Sequence, residues 1–353
     1  MPEEATAVPS RVCIVLLTGL GDVVMGLPIA NALKAANPAV HVTWVVEPMP
    51  APILEAQPAI DEIVVYRKAQ GWRGVRALWR QMAPRRFDLT LNLNVYFKSV
   101  WPTLFSRAPR RLGFGRERAR DGVWLAATER LRAGPRRHTL DMFLEFLDPL
   151  GARPAAPEWR LGFTAAERQA QERFFAPLRE RPVVALVPAS AIAAKDWLPE
   201  RYAEVADALE HDFGYRTLLV GGPGEREQRL AREIAERSRA RPVWAMGEGI
   251  RRLAWTLGGS DLVISPDTGP VHLARALEVP VIGLYGHTNP WRVGPYRQYE
   301  DLWIDRYTDP GQAPDPSSFE PHRGRMQQIT ARDVLEKVEL ARARYLAPPH
   351  RVG

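Results

Sequence analysis

The stretch from Asp261 to Pro290, DLVISPDTGPVHLARALEVPVIGLYGHTNP, constrains the fold more than any other part of the chain. Leu262 to Ile264 is an apolar run that ends at Ser265-Pro266, and Asp267-Thr268-Gly269-Pro270 then turns the chain. Val271, Leu273, Ala274 and Leu277 recur at helical spacing before a second apolar run, Val279 to Leu284. Strand, turn, helix and strand in this order predict a doubly wound α/β sheet. Ligands of such sheets sit at strand carboxyl ends and first helical turns. Thr268, Gly269 and His272 therefore fall where free amides and a helix dipole can meet an anion. A helix cap alone would also account for Asp267 and Thr268, since both residue types cap well.

With 353 residues the chain exceeds the comfortable size of one core, so two domains of roughly 150 to 200 residues are expected. The N-terminal MPEEATAVPS is acidic and poor in apolar residues, unlike a secretory signal, and no run approaches the ~18 apolar residues of a membrane span. A cytoplasmic protein is the expectation. Cys13, the single cysteine, lies in an apolar strand, which predicts a core thiol and excludes disulfides and cysteine-built metal sites. Asp-Thr-Gly is also the triplet of aspartic proteases, but they need a second carboxylate copy in a β-rich lobe, which this chain lacks.

Charge is unevenly placed. Between Arg67 and Arg137 there are 18 Lys and Arg against 4 Asp and Glu, a local +14, so the remainder carries 7 − 14 = −7. Trp72, Trp79, Trp101 and Trp124 are interleaved with these bases, a mixture suited to an anionic lipid surface or nucleic acid. Arginines that merely solvate helix faces are the plainer reading. No nucleic-acid-binding signature is present, so an anionic lipid or phosphorylated glycan is the preferred partner.

In chain order, Val12 to Leu17 is an apolar strand followed by TGLGDVVMGLP and a helical pattern to about Ala36. Gly19 and Gly21 supply the G-x-G of a dinucleotide turn, and Glu47 closes the next apolar stretch, Val42 to Val46. The third glycine position is Val24, however, and Asp22 stands at the mouth of the turn, where a carboxylate repels a pyrophosphate. An acid beside a glycine turn suits a catalytic base better, or else a helix N-cap. Further strands are expected at Glu62 to Tyr66, Leu89 to Leu93 and Arg111 to Phe114, a helix around His138 to Leu150, and a linker at GARPAAPEW. Thr164 with Glu167 predicts a capping box.

The second half restarts the alternation with strands at Pro182 to Val187 and Thr217 to Val220. Between them lie the loop PASAIAAKDWLPER, with Lys195 its only cation before the helix, and a helix from Pro199 to His211. Gly221 to Glu225 is a tight turn ending in an acid, which either favours the helix dipole or binds ribose hydroxyls. Residues 309 to 325 read as loop, Thr330 opens a last helix to about Tyr345, and the tail APPHRVG is expected to fray.

Three loops in this order, GLGDVVMGLP, then Ser190 with Lys195 in KDWLPER, then PDTGPVHLARAL followed by GLYGHTNP, resemble glycosyltransferase family 9, the heptosyltransferases of the lipopolysaccharide inner core. The resemblance covers roughly residues 11 to 65 and 182 to 295. Ala191 in place of a second hydroxyl, an inserted Leu198 and Leu16 in place of a first-strand arginine depart from the pattern. The resemblance implies two facing Rossmann-like domains, the GT-B arrangement. Residues 1–155 would bind the acceptor, 156–329 the nucleotide sugar, and 330–353 would form a helix returning to the first domain. By position, Asp22 would be the catalytic base, and Ser190, Lys195, Glu225, Asp267, Thr268, Gly269 and His272 would hold the donor. Gly19, Gly21, Arg110 and Arg111 would face the acceptor. The implied reaction is inverting transfer of heptose from ADP-heptose to a phosphorylated, lipid A-linked acceptor, without a cofactor or divalent metal. It would take place on the anionic inner face of the cytoplasmic membrane, with no nucleic acid involved. The alternatives are a nucleotide-sugar epimerase or hydrolase of the same architecture, and a non-catalytic module that binds anionic glycolipid.

Overall fold

The structure is a computed structural model that describes residues 7–132, 134–247 and 249–346. The first residues of the acidic N-terminus and the APPHRVG tail lie outside the described residues. The chain forms two compact units, Met1–Gly162 and Phe163–Gly353, divided a few residues after the GARPAAPEW stretch.

The first unit runs β1 (Arg11–Val15), α1 (Leu20–Ala36), β2 (His41–Val46), β3 (Glu62–Val65), α2 (Trp72–Met82), β4 (Leu89–Asn92), α3 (Val100–Phe105), β5 (Arg110–Phe114), β6 (Glu129–Leu131) and α4 (Thr139–Leu144). Its sheet has the order β3-β2-β1-β4-β5-β6, every pairing parallel. Parallel strands are covered on both faces, so they read as unbroken apolar runs; Val12 to Val15 and Val42 to Val46 are all buried. Cys13, Val15, Val45 and Val64 pack under Val75, Leu78 and Met82 of α2. Cys13 is free and buried, and burial pushes its thiol up, as befits a core side chain.

The second unit runs α5 (Ala165–Phe175), β7 (Val183–Leu186), α6 (Pro199–His211), β8 (Arg216–Gly221), α7 (Glu225–Arg237), β9 (Val243–Met246), α8 (Gly249–Gly258), β10 (Leu262–Pro266), α9 (Gly269–Ala276), β11 (Val281–Tyr285), α10 (Pro290–Val293), β12 (Ile304–Asp305) and α11 (Ala331–Arg344). Its sheet, β12-β11-β10-β7-β8-β9, is also wholly parallel. The expected capping box forms at Thr164 and Glu167, and a second one at Thr330 and Asp333 opens α11. Val334, Val338 and Ala341 are fully buried on a helix that packs against α6 and β11, and Trp197 donates its indole N–H to the Ile329 carbonyl at 3.0 Å just before it.

Each sheet reverses its direction of growth once, between β1 and β4 in the first unit and between β7 and β10 in the second. Crossovers leave such a point in opposite directions, so a crevice opens at the carboxyl ends of those two strands. That crevice, in each unit by itself, is where the site residues must be sought.

Helix α1 lies close on the sheet because Gly26 has no side chain: a Cβ there would stand 2.9 Å from Leu16 Cδ2 and 3.0 Å from Trp44. Gly26→Ala should therefore destabilise the protein by about 1 to 3 kcal/mol despite its better helix propensity. Urea denaturation measures this, and a variant as stable as the wild type would contradict the close packing.

Candidate functional site

In the second unit the loop after β7 and the turn after β10 flank the switch point, and their side chains meet. Lys195 donates to Asp267 Oδ2 at 2.6 Å, and the Thr288 hydroxyl donates to the same oxygen at 2.6 Å. Both charged side chains are largely buried, with 16% and 7% of their surfaces exposed. Burial alone would raise the Asp267 carboxyl, but the Lys195 charge and the hydrogen bonds from Lys195 and Thr288 hold it below its ordinary value. Asp267 is thus an anion whose charge is already balanced.

Thr268 is the N-cap residue of α9 by position, yet its side chain makes no capping hydrogen bond. The plain helix-cap reading therefore fails for Asp267 and Thr268 alike, since Asp267 Oδ2 serves Lys195 and Thr288. Thr268 and Gly269 are half-buried at the start of the helix, and His272 is buried one turn on. Ser190 is buried too, but its hydroxyl donates to the Ile192 carbonyl at 2.7 Å and accepts from the Ile192 amide, so it shapes its own loop. Arg226 ties that loop to α7 by donating to the Ser190 carbonyl and pairing with Asp196. Its neighbour Glu225 is exposed at the first residue of α7. The glycine turn before it is closed instead by Glu227, which accepts from the Gly222 amide at 2.6 Å. Ser190, Lys195, Glu225, Asp267, Thr268, Gly269 and His272 therefore all lie at the carboxyl edge of one sheet.

In the first unit Gly19 is the N-cap of α1 and Asp22 sits in the first turn, so Asp22 is not the cap itself. It lies half-buried at the carboxyl edge beside the β1/β4 switch, with Gly21 next to it. Arg110 and Arg111 are at the other end. They begin β5, some four residues or roughly 13 Å before its carboxyl end. Arg110 makes a two-toothed pair with Glu129 at 2.8 and 3.0 Å, and Arg111 donates to the Ala126 and Ala108 carbonyls at 2.8 Å each. Both guanidiniums hold the β5–β6 connection together.

Residues 75–312 match glycosyltransferase family 9 (heptosyltransferase) as a family. The lipopolysaccharide core heptosyltransferase OpsX of Haemophilus influenzae is 32% identical over 298 residues, 84% of this chain and 85% of that one. The chain belongs to glycosyltransferase family 9. The fold agrees. The glycosyl transferase family 9 structure from Veillonella parvula superposes with a TM-score of 0.81 at 24% identity, covering 94% of this chain and 96% of that one. The E. coli heptosyltransferase WaaC with ADP-2-deoxy-2-fluoro heptose gives 0.73 at 22% identity, covering 94% and 99%.

This family 9 glycosyltransferase also uses residues that the sequence reading passed over. Thr288 lies in GLYGHTNP, but its partner Asp267 is 21 positions away, and only folding brings them together. Gly286 makes that loop possible: a Cβ there would lie 2.6 Å from the backbone of Arg325 and Met326. In the first unit, buried Asn94 accepts from the Leu17 amide at 3.0 Å and donates to the Val15 carbonyl at 2.8 Å, clamping the end of β1 from β4's loop. The only sequence signal was polar Asn92 and Asn94 closing an apolar strand.

Burial lowers the His272 pKa from 6.5 to about 4, outweighing the pull of Asp267. The ring is therefore a neutral imidazole at neutral pH. A base with a depressed folded-state pKa contributes stability that is complete above about 6.5 and is lost as pH falls toward about 4. The loss is on the order of 3 kcal/mol. His272→Gln removes this proton linkage, so its stability should fall less steeply than wild type over that window. Urea titrations at a series of pH values measure the difference, and parallel profiles would show that the ring titrates normally.

Proposed function

We propose that the chain moves heptose from ADP-heptose, with inversion, onto the phosphorylated inner core of lipopolysaccharide, and that it works in the cytoplasm on the inner face of the cytoplasmic membrane. The observation that carries the reading is the donor-side constellation: a buried lysine and the start of α9 at one switch point, in a chain 32% identical to a lipopolysaccharide core heptosyltransferase. Positive groups there suit a diphosphate. Lys195 can exchange Asp267 for a phosphate oxygen as the donor arrives, and Thr268 and Gly269 present the helix start to the same group. Neutral His272 serves as a hydrogen-bonding group, and Glu225 is free to meet the ribose.

In the reaction, the acceptor hydroxyl oxygen bonds to the anomeric carbon as its bond to the diphosphate breaks, and ADP leaves with the electron pair. Asp22 takes the hydroxyl proton. Charge growing on ADP is met by Lys195 and the α9 dipole, preorganised for a role that many enzymes give to a metal. On the acceptor side, Lys98 follows β4, and Arg116 and Arg120 follow β5, all on the carboxyl edge that carries Asp22. A cavity of about 420 Å³ opens there, with Arg116 and Trp124 among its lining and the guanidinium 5.8 Å from the indole. The Arg116 cation suits an anionic group and the Trp124 ring an apolar sugar face.

A positioned carboxylate base contributes about 10² to 10⁴-fold. Asp22→Asn should cut turnover by that factor while leaving folding and ADP affinity nearly unchanged, because it keeps the shape but loses basicity. If the variant keeps more than about a tenth of wild-type turnover, with chemistry rate-limiting, Asp22 is not the base. Turnover should also persist in excess chelator; complete loss reversed by magnesium would show that a metal, not Lys195 and α9, meets the departing charge.

A further inference from the structure

Helix α2 buries Val75, Leu78 and Met82 against the sheet and leaves Trp72, Arg73, Arg76, Trp79 and Arg80 exposed. Trp72 is 73% exposed and Trp79 42%, and Leu104 of the adjoining α3 is 41% exposed. Indoles left in water to this degree mark an interaction surface. The rings also form one connected row along the α2–α3 seam: Trp72 to Trp101 at 6.2 Å, Trp101 to Phe105 at 5.7 Å and Phe105 to Trp79 at 5.2 Å, with the Arg107 guanidinium 5.6 Å over Trp79.

The charge around this row has one sign. Seven Lys and Arg and no acid occur from Arg67 to Phe87. Lys68 and Arg85 are neutralised by Glu47 and Glu62, but Arg73, Arg76 and Arg80 form no ion pair among the described residues. The α2 row differs from the basic residues beside the Asp22 turn, which lie on loops at the sheet's carboxyl edge. No helix among the described residues is long and apolar enough to cross a membrane, so any lipid contact through this face is lateral.

We propose that the α2–α3 face seats the protein on an anionic phospholipid bilayer. Trp72, Trp79 and Leu104 enter the headgroup region, and Arg73, Arg76 and Arg80 lie against lipid phosphates. Indoles prefer that depth because one part of the ring is apolar and the N–H needs a polar partner, and arginine side chains lay their stems on apolar surface while the guanidinium reaches phosphate. Nucleic acid fits this face less well. Base stacking needs free ring faces, whereas here the rings pack on one another and Arg107 lies over Trp79. The proposal deepens the membrane-side reading above but rests on it only in the turnover comparison below.

The test is co-sedimentation of the full chain with vesicles of phosphatidylcholine alone or with about a third phosphatidylglycerol, at about 0.1 and 0.5 M salt. The wild type should sediment only with the anionic vesicles and should release at the higher salt. Trp72→Ser should weaken binding roughly tenfold. The triple variant Arg73→Gln, Arg76→Gln, Arg80→Gln should weaken it about a hundredfold. Both should keep the wild-type melting temperature, since these side chains are exposed. Equal binding to the two kinds of vesicle, wild-type binding by the variants, or the same residues retaining RNA while vesicles are ignored would each overturn the proposal. With substrate, Trp72→Ser should slow turnover of vesicle-embedded acceptor and leave that of a water-soluble, lipid-free acceptor unchanged. A chain that sediments as expected but turns over neither acceptor would remove the proposed function and leave the docking face standing.

Discussion

Everything in this protein depends on a constraint of parallel sheets: each strand must be joined to the next by a crossover that passes over a face, so the sheet can grow outward from its centre in only two directions. Where growth reverses, neighbouring crossovers diverge and leave a crevice at the carboxyl ends. Both units reverse once, at β1/β4 and at β7/β10. Polar side chains can then be held at the edge of a sheet whose interior is largely apolar.

The β7/β10 crevice holds a buried pair, Lys195 and Asp267, with Thr288 on the same carboxylate oxygen. A buried ion pair is poor evidence for stability, because desolvating both charges offsets most of their attraction. What the pair does show is orientation: Asp267 and Thr288 fix where the Lys195 ammonium stands. Neutral His272 fits the same arrangement, since burial disfavours a second charge beside the pair.

In the first unit, arginines that are alike in sequence serve different ends. Arg85, Arg110 and Arg118 are tied to Glu62, Glu129 and Glu145. Arg111 satisfies two carbonyls, and Arg116 lies against Trp124 at the carboxyl edge. Arg73, Arg76 and Arg80 face outward from α2. A sum of charges over Arg67 to Arg137 cannot separate these groups, because the partners that neutralise some of them come from other strands.

What the sequence determined by itself was whatever rests on local pattern. Largely apolar runs marked β1, β2, β7, β10 and β11, because strands covered on both faces bury most of their side chains. Thr164 and Glu167 announced their capping box, and Asp267 to His272 their strand-to-helix turn. The short edge strands β6, β9 and β12 were missed, being partly exposed and only 3, 4 and 2 residues long. The tertiary structure decided which of the polar residues meet. It joined Thr288 to Asp267, Asn94 to the end of β1 and α11 to the second unit. It also gave Arg110 and Arg111 partners at the amino end of β5. The physical reason is the same in each case: a hydrogen bond or ion pair between distant positions depends on strand order and register, and no local periodicity carries that information.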